Sequence, residues 1–353
     1  MLTLREVIYV QEVPRNVRAI LVGDIGGTNS NFGIFQHPDD GLSLLLSLHA
    51  KSQEIVSFSD LVNQVLLHIK DRYSITVHHA CFAAAGVVSA DRDYSKPTNL
   101  DFIIDTQEIV KQTGLSCVFL TNDFEVIGYG LSCINAKDLV SVNHAVAHGK
   151  TNKAILGAGT GLGKCIMFWE KDRKMYVPVA SEGGHADFAA QSEIEFALVN
   201  FLKKTNNCDC NISWEDVLSG TGIKNMYKFF CQYNGAVKPN DFLAKGGLHP
   251  DEIFNSRTID EHAWHTFDFY AHFYARCAKN FALDSLSRGG IYIAGGIAAK
   301  NLQLFQQESF LNEFINCGKQ KDLLKNIPIY VITDYNVSLY GAAEYMRLEG
   351  LCG

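Results

Sequence analysis

Short apolar or β-branched runs alternate along the chain with stretches of helical periodicity, and several of the runs stop at glycine. Ala19-Ile20-Leu21-Val22 leads into a glycine cluster at 23–27, Lys153-Ala154-Ile155-Leu156 into one at 157–163, and Ile291-Tyr292-Ile293-Ala294 into one at 295–296. A buried strand that ends in glycine is a common place for backbone to approach a ligand. Helical spacing fills the intervals. Leu61, Val65, Leu66 and Ile69 fall on one face of a helix capped at Ser59 or Asp60. Ser192-Glu193-Ile194-Glu195 has the spacing of a capping box. Residues 261–287 predict a long helix closed by Gly289 and Gly290, its aromatic stripe read as core, and 338–348 predict a last helix.

The two halves repeat one another in outline. Each opens with a strand, a glycine-rich turn and a further strand, near Asn31-Phe32-Gly33-Ile34-Phe35 and near Lys164-Cys165-Ile166-Met167-Phe168. The pattern predicts two α/β domains of related topology with a cleft between them.

Composition narrows the classes. At 353 residues, 47% hydrophobic and 20% charged, the chain has the balance of a globular protein long enough for two domains. Its formal net charge of −7 argues against broad binding along a nucleic-acid backbone. No apolar run reaches the ~18 residues of a membrane span, and the first twenty residues lack a secretory core. Ten scattered cysteines in apolar company predict reduced thiols used as small hydrophobes. Cys208-Asp209-Cys210 is the one close pair, with no second pair at zinc spacing.

Two familiar nucleotide motifs fail on spacing. A Walker loop would need glycine where Ala158 stands and a hydroxyl where Cys165 stands; a dinucleotide fingerprint breaks at Leu162 or Lys164. What remains is Gly23-Asp24-Ile25-Gly26-Gly27-Thr28 and Gly157-Ala158-Gly159-Thr160-Gly161. Such turns let backbone N–H groups converge on phosphate oxygens, with threonine adding a hydroxyl donor. The carboxylate of Asp24 then implies a bridging Mg²⁺ that keeps its waters. The alternative is a pair of tight hairpins that need glycine for positive φ. Asn122-Asp123 follows the apolar run Cys117-Val118-Phe119-Leu120, which reads either as a carboxylate at a strand end or as a turn or helix cap. In Glu182-Gly183-Gly184-His185 the glycines rule out a helical metal pair and allow both side chains to turn toward one ligand.

Taken in order, Leu21 to Asn29, Thr121-Asn122-Asp123-Phe124, Gly157 to Gly163, Glu182 to Phe188, Leu218-Ser219-Gly220 and Ile293 to Ile297 resemble the bacterial glucokinase family. That resemblance implies an α/β, two-domain, actin-like fold, a ribonuclease H-like repeat with an interdomain cleft. The boundaries expected are 1–133 plus 337–353 for a small domain and 134–336 for a large one. It implies ATP- and Mg²⁺-dependent phosphorylation of glucose in the cytoplasm, by a homodimer with no nucleic-acid or membrane partner. Asp123 would be the catalytic base. Asn99, Asn122, Asp123, Glu182, His185 and Glu215 would bind the sugar. Gly23, Asp24, Ile25, Gly26, Gly27, Thr28, Gly159, Thr160, Gly161, Gly220, Gly295 and Gly296 would surround the nucleotide, with Asp24 holding the metal through water. Glu215 reads alternatively as a first-turn helix glutamate. The sequence departs from the family at Val87-Val88, which lack its proline, and at Phe102, where many members have tryptophan. No cysteine cluster follows His185, unlike the zinc-binding sugar kinases and repressors. Other readings are a kinase for another hexose or with a polyphosphate donor, and a sugar sensor without turnover.

Overall fold

The computed structural model describes residues 2–36, 41–207, 209–233 and 249–349, and Cys208 and Cys352 lie outside them. The chain forms two units, one of residues 1–136, 167–180 and 334–353, the other of residues 137–166 and 181–333.

In the first unit, β1 (Arg5–Ile8), β2 (Arg18–Ile25), β3 (Asn29–Gln36) and β4 (Ser43–Lys51) are followed by α1 (Phe58–Tyr73) and β5 (Thr76–Ala84). A two-residue pair β6 (Tyr94–Ser95) and β7 (Ile104–Asp105), then α2 (Thr106–Thr113), β8 (Cys117–Asn122) and α3 (Asp123–Gly130), complete the amino-terminal part. The sheet order is β1-β4-β3-β2-β5-β8. β2 runs antiparallel to β3 and parallel to β5, and β5 runs parallel to β8.

Period-two patterning explains why this sheet is buried on both faces. Leu21 and Ile25 pack with Phe32, Phe58, Val62 and Val65 on one side. Ile20 and Val22 pack on the other, with Phe35, Cys81 and Val126, against Leu339, Ala342 and Met346 of the closing helix Val337–Leu348. β1 is a strand that the apolar pattern did not announce, because it is a half-exposed edge whose Glu6 bonds His68 and Tyr73. The first strand therefore begins at Arg5, ahead of the apolar run at 19–22.

A second sheet is formed by β9 (Leu139–Ser141), β10 (Lys153–Ala158), β11 (Leu162–Glu170), β12 (Met175–Ser181), β13 (Ile291–Ala294) and β14 (Ile329–Ile332) in the order β12-β11-β10-β13-β14-β9; all of it belongs to the second unit except the stretch 167–180 of β11 and β12. The plan of the first sheet recurs: three successive strands as neighbours, then two strands parallel to the first of them. Helices α4 (Glu193–Thr205), α5 (Trp214–Val217), α6 (Gly220–Tyr233) and the long helix Glu261–Ser285 supply the apolar cover. The aromatic stripe of the long helix, Phe267, Tyr270, Phe273, Tyr274 and Phe281, is core as expected.

Several local expectations shift. The cap of α1 is Ser57, which accepts from the Asp60 amide at 3.3 Å, rather than Ser59 or Asp60. Ser192 caps α4, but Glu195 does not reach back to it. Its carboxylate accepts from Gln191 N at 2.6 Å and from Arg276 at 2.7 Å, because a buried guanidinium is the stronger partner. The long helix ends at Leu286 in the left-handed region (φ 47°), ahead of the two glycines. Cys210 takes part in a disulfide, whereas seven other described cysteines are free. No helix of the described residues is long and apolar enough to cross a membrane.

Candidate active site

In the first unit the expected residues gather at the carboxyl ends of the parallel strands. The register aligns Ile25 with Ala84 and Ala84 with Asn122. Asp24 and Asn122 thus stand two strands apart at one sheet end, roughly 10 Å by strand spacing. The carboxyl ends of parallel strands are where open α/β sheets bind ligands.

The first glycine turn closes β2 onto β3, with Gly26 N donating to Asn29 O at 3.1 Å. Its carbonyls are drawn into the protein. Ser52 Oγ donates to Gly26 O at 2.6 Å, Ser52 N to Thr28 O at 3.0 Å, and Gln53 Nε2 to Gly27 O at 3.1 Å. An anion cradle requires this, since carbonyl oxygens facing a phosphate would repel it. Gly26 and Gly27 are not at positive φ, so the hairpin alternative loses its reason. Gly23 and Ile25 serve packing: a Cβ on Gly23 would lie 2.7 Å from the Phe82 ring, and Ile25 is fully buried. Asp24 accepts from Ser338 Oγ at 2.6 Å. Burial pushes its carboxyl up, and the Ser338 bond pulls against that.

The Asn122-Asp123 junction is strand end and helix cap at once. Asn122 caps α3, with Oδ1 accepting from Phe124 N at 2.9 Å and Glu125 N at 3.1 Å, and Nδ2 donating to Gly86 O at 3.1 Å. Both lone pairs and one amide hydrogen are thus occupied, and a single N–H is left for a ligand. Asp123 is the first residue of α3 and half-buried, its Oδ1 accepting from Phe124 N at 3.0 Å. Asn99 is exposed at φ 63°, its carbonyl accepting from Gln53 Nε2 at 3.1 Å.

In the second unit, the turn between β10 and β11 is closed by Gly159 N to Gly161 O at 2.8 Å. Glu215, on α5, reaches this turn and accepts from Leu162 N at 2.8 Å. A Cβ on Gly161 would fall on that carboxylate. α5 is joined to the Glu182–His185 segment by Trp214 N to Ala186 O at 2.9 Å. Gly183–His185 form a 3₁₀ turn, and Glu182 and His185, each half-exposed at 50% and 52%, bring Oε2 and Nε2 to 3.8 Å. Thr160 is exposed on the turn, and Gly220, opening α6, donates to Gly159 O at 2.9 Å. Gly295 stands at φ +94°, where a Cβ would lie 2.8 Å from Ala158 O, and Gly296 begins a short helix beside it. Gly295 is therefore fixed by its backbone and by its approach to β10. Lys164 is buried with Nζ 5.1 Å from the Phe281 ring, away from any phosphate role, in keeping with the failed Walker spacing.

Sequence reasoning missed Ser52, Gln53 and Ser338. The first two follow a strand with no motif around them. Ser338 lies 314 positions from Asp24, and nothing local signals the pairing. No cluster of three or more metal-ligating side chains occurs among the described residues.

Two sheets of one repeated order, each with a glycine turn and polar residues at the carboxyl ends of its strands, define the two-domain actin-like fold of the sugar kinases. The family model for glucokinase matches residues 21–349. The glucokinase of Nostoc punctiforme is 33% identical over 339 residues, 92% of this chain and 97% of its own. The structure of Balamuthia mandrillaris glucokinase in complex with glucose shares the fold at 23% identity and a TM-score of 0.78, covering 93% of each chain. So does a ROK family glucokinase from Streptomyces griseus in complex with glucose and AMPPNP, at 19% identity and a TM-score of 0.64, covering 94% of this chain and 99% of that one. The chain belongs to the glucokinase family, and is an enzyme of the hexose-phosphorylating kind.

Proposed function

We propose that the chain transfers the γ-phosphoryl group of ATP to the 6-hydroxyl of D-glucose, with Asp123 as the base. The observation that carries this reading is the place of Asp123. It stands at a strand-to-helix junction at the carboxyl end of the first sheet, in a chain matched along its length by the glucokinase family. Phosphoryl transfer is mostly positioning and charge stabilisation, so one carboxylate at the attacking hydroxyl is enough base. Asp123 accepts the 6-hydroxyl proton as the hydroxyl oxygen attacks. Asn99, Glu182, His185, Glu215 and the free N–H of Asn122 orient the remaining hydroxyls.

The turns at Gly26–Thr28 and Gly159–Gly161 cradle the phosphates, and the Gly220 and Gly295–Gly296 segments flank the nucleoside. Asp24, braced by Ser338, would hold Mg²⁺ through water; the ion, when bound, neutralises phosphate charge. Domains at 1–133 plus 337–353 and 134–336, a homodimer and a cytoplasmic setting remain part of this reading; light scattering reads the assembly.

The test is a coupled ADP-release assay across glucose, mannose, fructose, galactose and N-acetylglucosamine, with sugar-phosphate formation measured directly when polyphosphate replaces ATP. A site that hydrogen-bonds hydroxyls rejects analogues that lack or misplace one, because buried polar groups are left unpaired. Glucose with ATP is expected to dominate. Equal turnover of the other hexoses would overturn the glucose assignment, and polyphosphate outperforming ATP the nucleotide one. In parallel, Asp123→Ala is expected to lower kcat by roughly 10²–10⁴, the range for a positioned base. Turnover near wild type would remove Asp123 from the chemistry.

A further inference from the structure

A clamp that the proposed chemistry does not itself use holds the junction bearing Asp123. Arg92, in the loop after β5, donates from Nη2 to Glu125 Oε1 at 2.8 Å and from Nη1 to Glu125 Oε2 at 3.1 Å. The same Nη1 lies 3.2 Å from Thr121 Oγ1, and that hydroxyl donates to Glu125 Oε2 at 2.8 Å. Thr121 belongs to the end of β8 and Glu125 to the first turn of α3. One guanidinium therefore bridges the last strand turn before Asp123 to the helix turn after it. The Glu125 side chain is only 6% exposed, and the Tyr345 ring centroid lies 5.7 Å from the guanidinium carbon.

The loop is built to deliver this arginine. Arg92 sits in the left-handed region at φ 55°, a conformation unusual for a bulky side chain. It is held there by Arg92 N to Ser89 O at 3.0 Å and by Ser89 Oγ to Asp93 Oδ1 at 2.7 Å. The loop also meets the junction at Gly86 O, the acceptor of Asn122 Nδ2. A bidentate, part-buried pair with a hydroxyl in its network fixes direction as well as distance, which a lysine at the same place would not do.

We propose that Arg92 is a positioning residue for the phosphoryl transfer, acting through Glu125 and Thr121 to hold the first turn of α3, and so the Asp123 carboxylate, in line with the attacking hydroxyl. The proposal rests on Asp123 being the base. First-turn residues of a helix have no intrahelical partner for their N–H groups and are otherwise fixed here by the Asn122 cap. A misplacement of about 1 Å at a reacting group can cost on the order of 10²-fold in rate.

The experiment is steady-state kinetics and thermal melting of the full chain carrying Arg92→Met, Arg92→Lys, the pair Arg92→Met with Glu125→Gln, and Asp123→Ala. Arg92→Met should lower kcat about ten- to hundredfold while the KM for glucose and for ATP change by no more than about threefold. Arg92→Lys should fall between, since an ammonium can pair with Glu125 but cannot span both carboxylate oxygens and Thr121. The paired variant leaves no orphaned buried carboxylate and keeps an acceptor for Thr121, so it should regain the melting temperature lost in Arg92→Met without regaining kcat. Recovery of kcat together with melting temperature would overturn the clamp, because the arginine would then serve stability alone. So would wild-type kcat in Arg92→Met beside an inactive Asp123→Ala. An active Asp123→Ala would overturn the base assignment, and the clamp with it.

Discussion

Glu215 shows how one residue can satisfy two readings. It occupies the first turn of a short helix, as a solvent-facing glutamate would, yet its Oε2 receives the Leu162 amide at 2.8 Å. The carboxylate is thereby fixed against the second glycine turn, and glycine at 161 is what makes room for it. The two glycines of this turn should consequently behave differently. Gly161→Ala must push the carboxylate away, and a hydrogen bond to a charged acceptor is worth about 1.5–3 kcal/mol. We expect the glucose KM to rise roughly tenfold, with a measurable loss of melting temperature. A Cβ on Gly159 would meet no atom within 4 Å, so Gly159→Ala should leave stability within about 0.5 kcal/mol. Any loss there should appear in the ATP KM alone. Saturation kinetics for both substrates beside melting curves separate the two outcomes; equal effects on both would show that the turn acts only as a hairpin. The candidate glycine turns and Asn122-Asp123 stood out in the sequence because they follow apolar runs, whereas Asn99 and Glu215 were named only through the family resemblance. Their supports were not legible: Ser338, Gln53 and Arg92 are common polar residues whose meaning comes from contacts 314, 26 and 33 positions away.

At the scale of elements, periodicity placed the two helices it gave bounds, 261–287 and 338–348, within two residues of their observed ends, and it failed where a long-range partner outcompeted a local one. Glu195 is the clearest case. Its spacing from Ser192 promises a capping box, but Arg276 claims the carboxylate and also donates from Nε to Glu313 at 2.9 Å, with Lys279 3.3 Å from the same oxygen. This cluster joins α4, the long helix and the helix Glu308–Phe314, and the Arg276 side chain is only 7% exposed. Arg276→Met would leave the buried Glu195 carboxylate without its ion pair and Glu313 with Lys279 alone, and should cost about 3–5 kcal/mol in urea unfolding at pH 7. Burial pushes the Glu313 carboxyl up, but the Arg276 and Lys279 partners outweigh it and leave it below the ordinary glutamate value. Its stabilising contribution is therefore complete above the unfolded-state value of about 4.3 and is lost as pH falls through the lower, folded value. Without Arg276 that contribution is smaller from the start, because Glu313 keeps only Lys279 against its burial, so the variant has less to lose as pH falls below about 4.3. The gap between wild type and Arg276→Met should narrow over that range. A gap independent of pH would mean that the arginine contributes packing rather than charge.

At the scale of the whole molecule, the first unit is made from both ends of the chain. Its amino-terminal part ends near residue 136, and its last helix arrives after residue 334. The helical pattern at 338–348 did not itself announce that return, which the expected bounds 1–133 plus 337–353 took from the family resemblance; which sheet the helix covers depends on β2, more than 300 residues earlier. The helix lays Leu339, Ala342, Ala343, Tyr345 and Met346 over Ile20, Val22, Phe35, Leu44, Cys81 and Val126, and it supplies the Ser338 hydroxyl to Asp24. At about 1.5–3 kcal/mol for each large apolar side chain buried, Leu339, Tyr345 and Met346 alone contribute roughly 5–9 kcal/mol. That is comparable with the whole stability of a typical domain, about 5–15 kcal/mol. Ending the chain at residue 333 should therefore unfold the first unit, exposing one face of its sheet, while the apolar core of the second, which contains no residue beyond 331, persists. Circular dichroism should show a partial loss of ellipticity and two separate transitions or one diminished transition. Binding of a hydrophobic dye should rise, and glucose should no longer raise the melting temperature. Retention of the wild-type transition with glucose still stabilising the shortened chain would mean that the helix is dispensable to the fold, and that Asp24 keeps its place without Ser338.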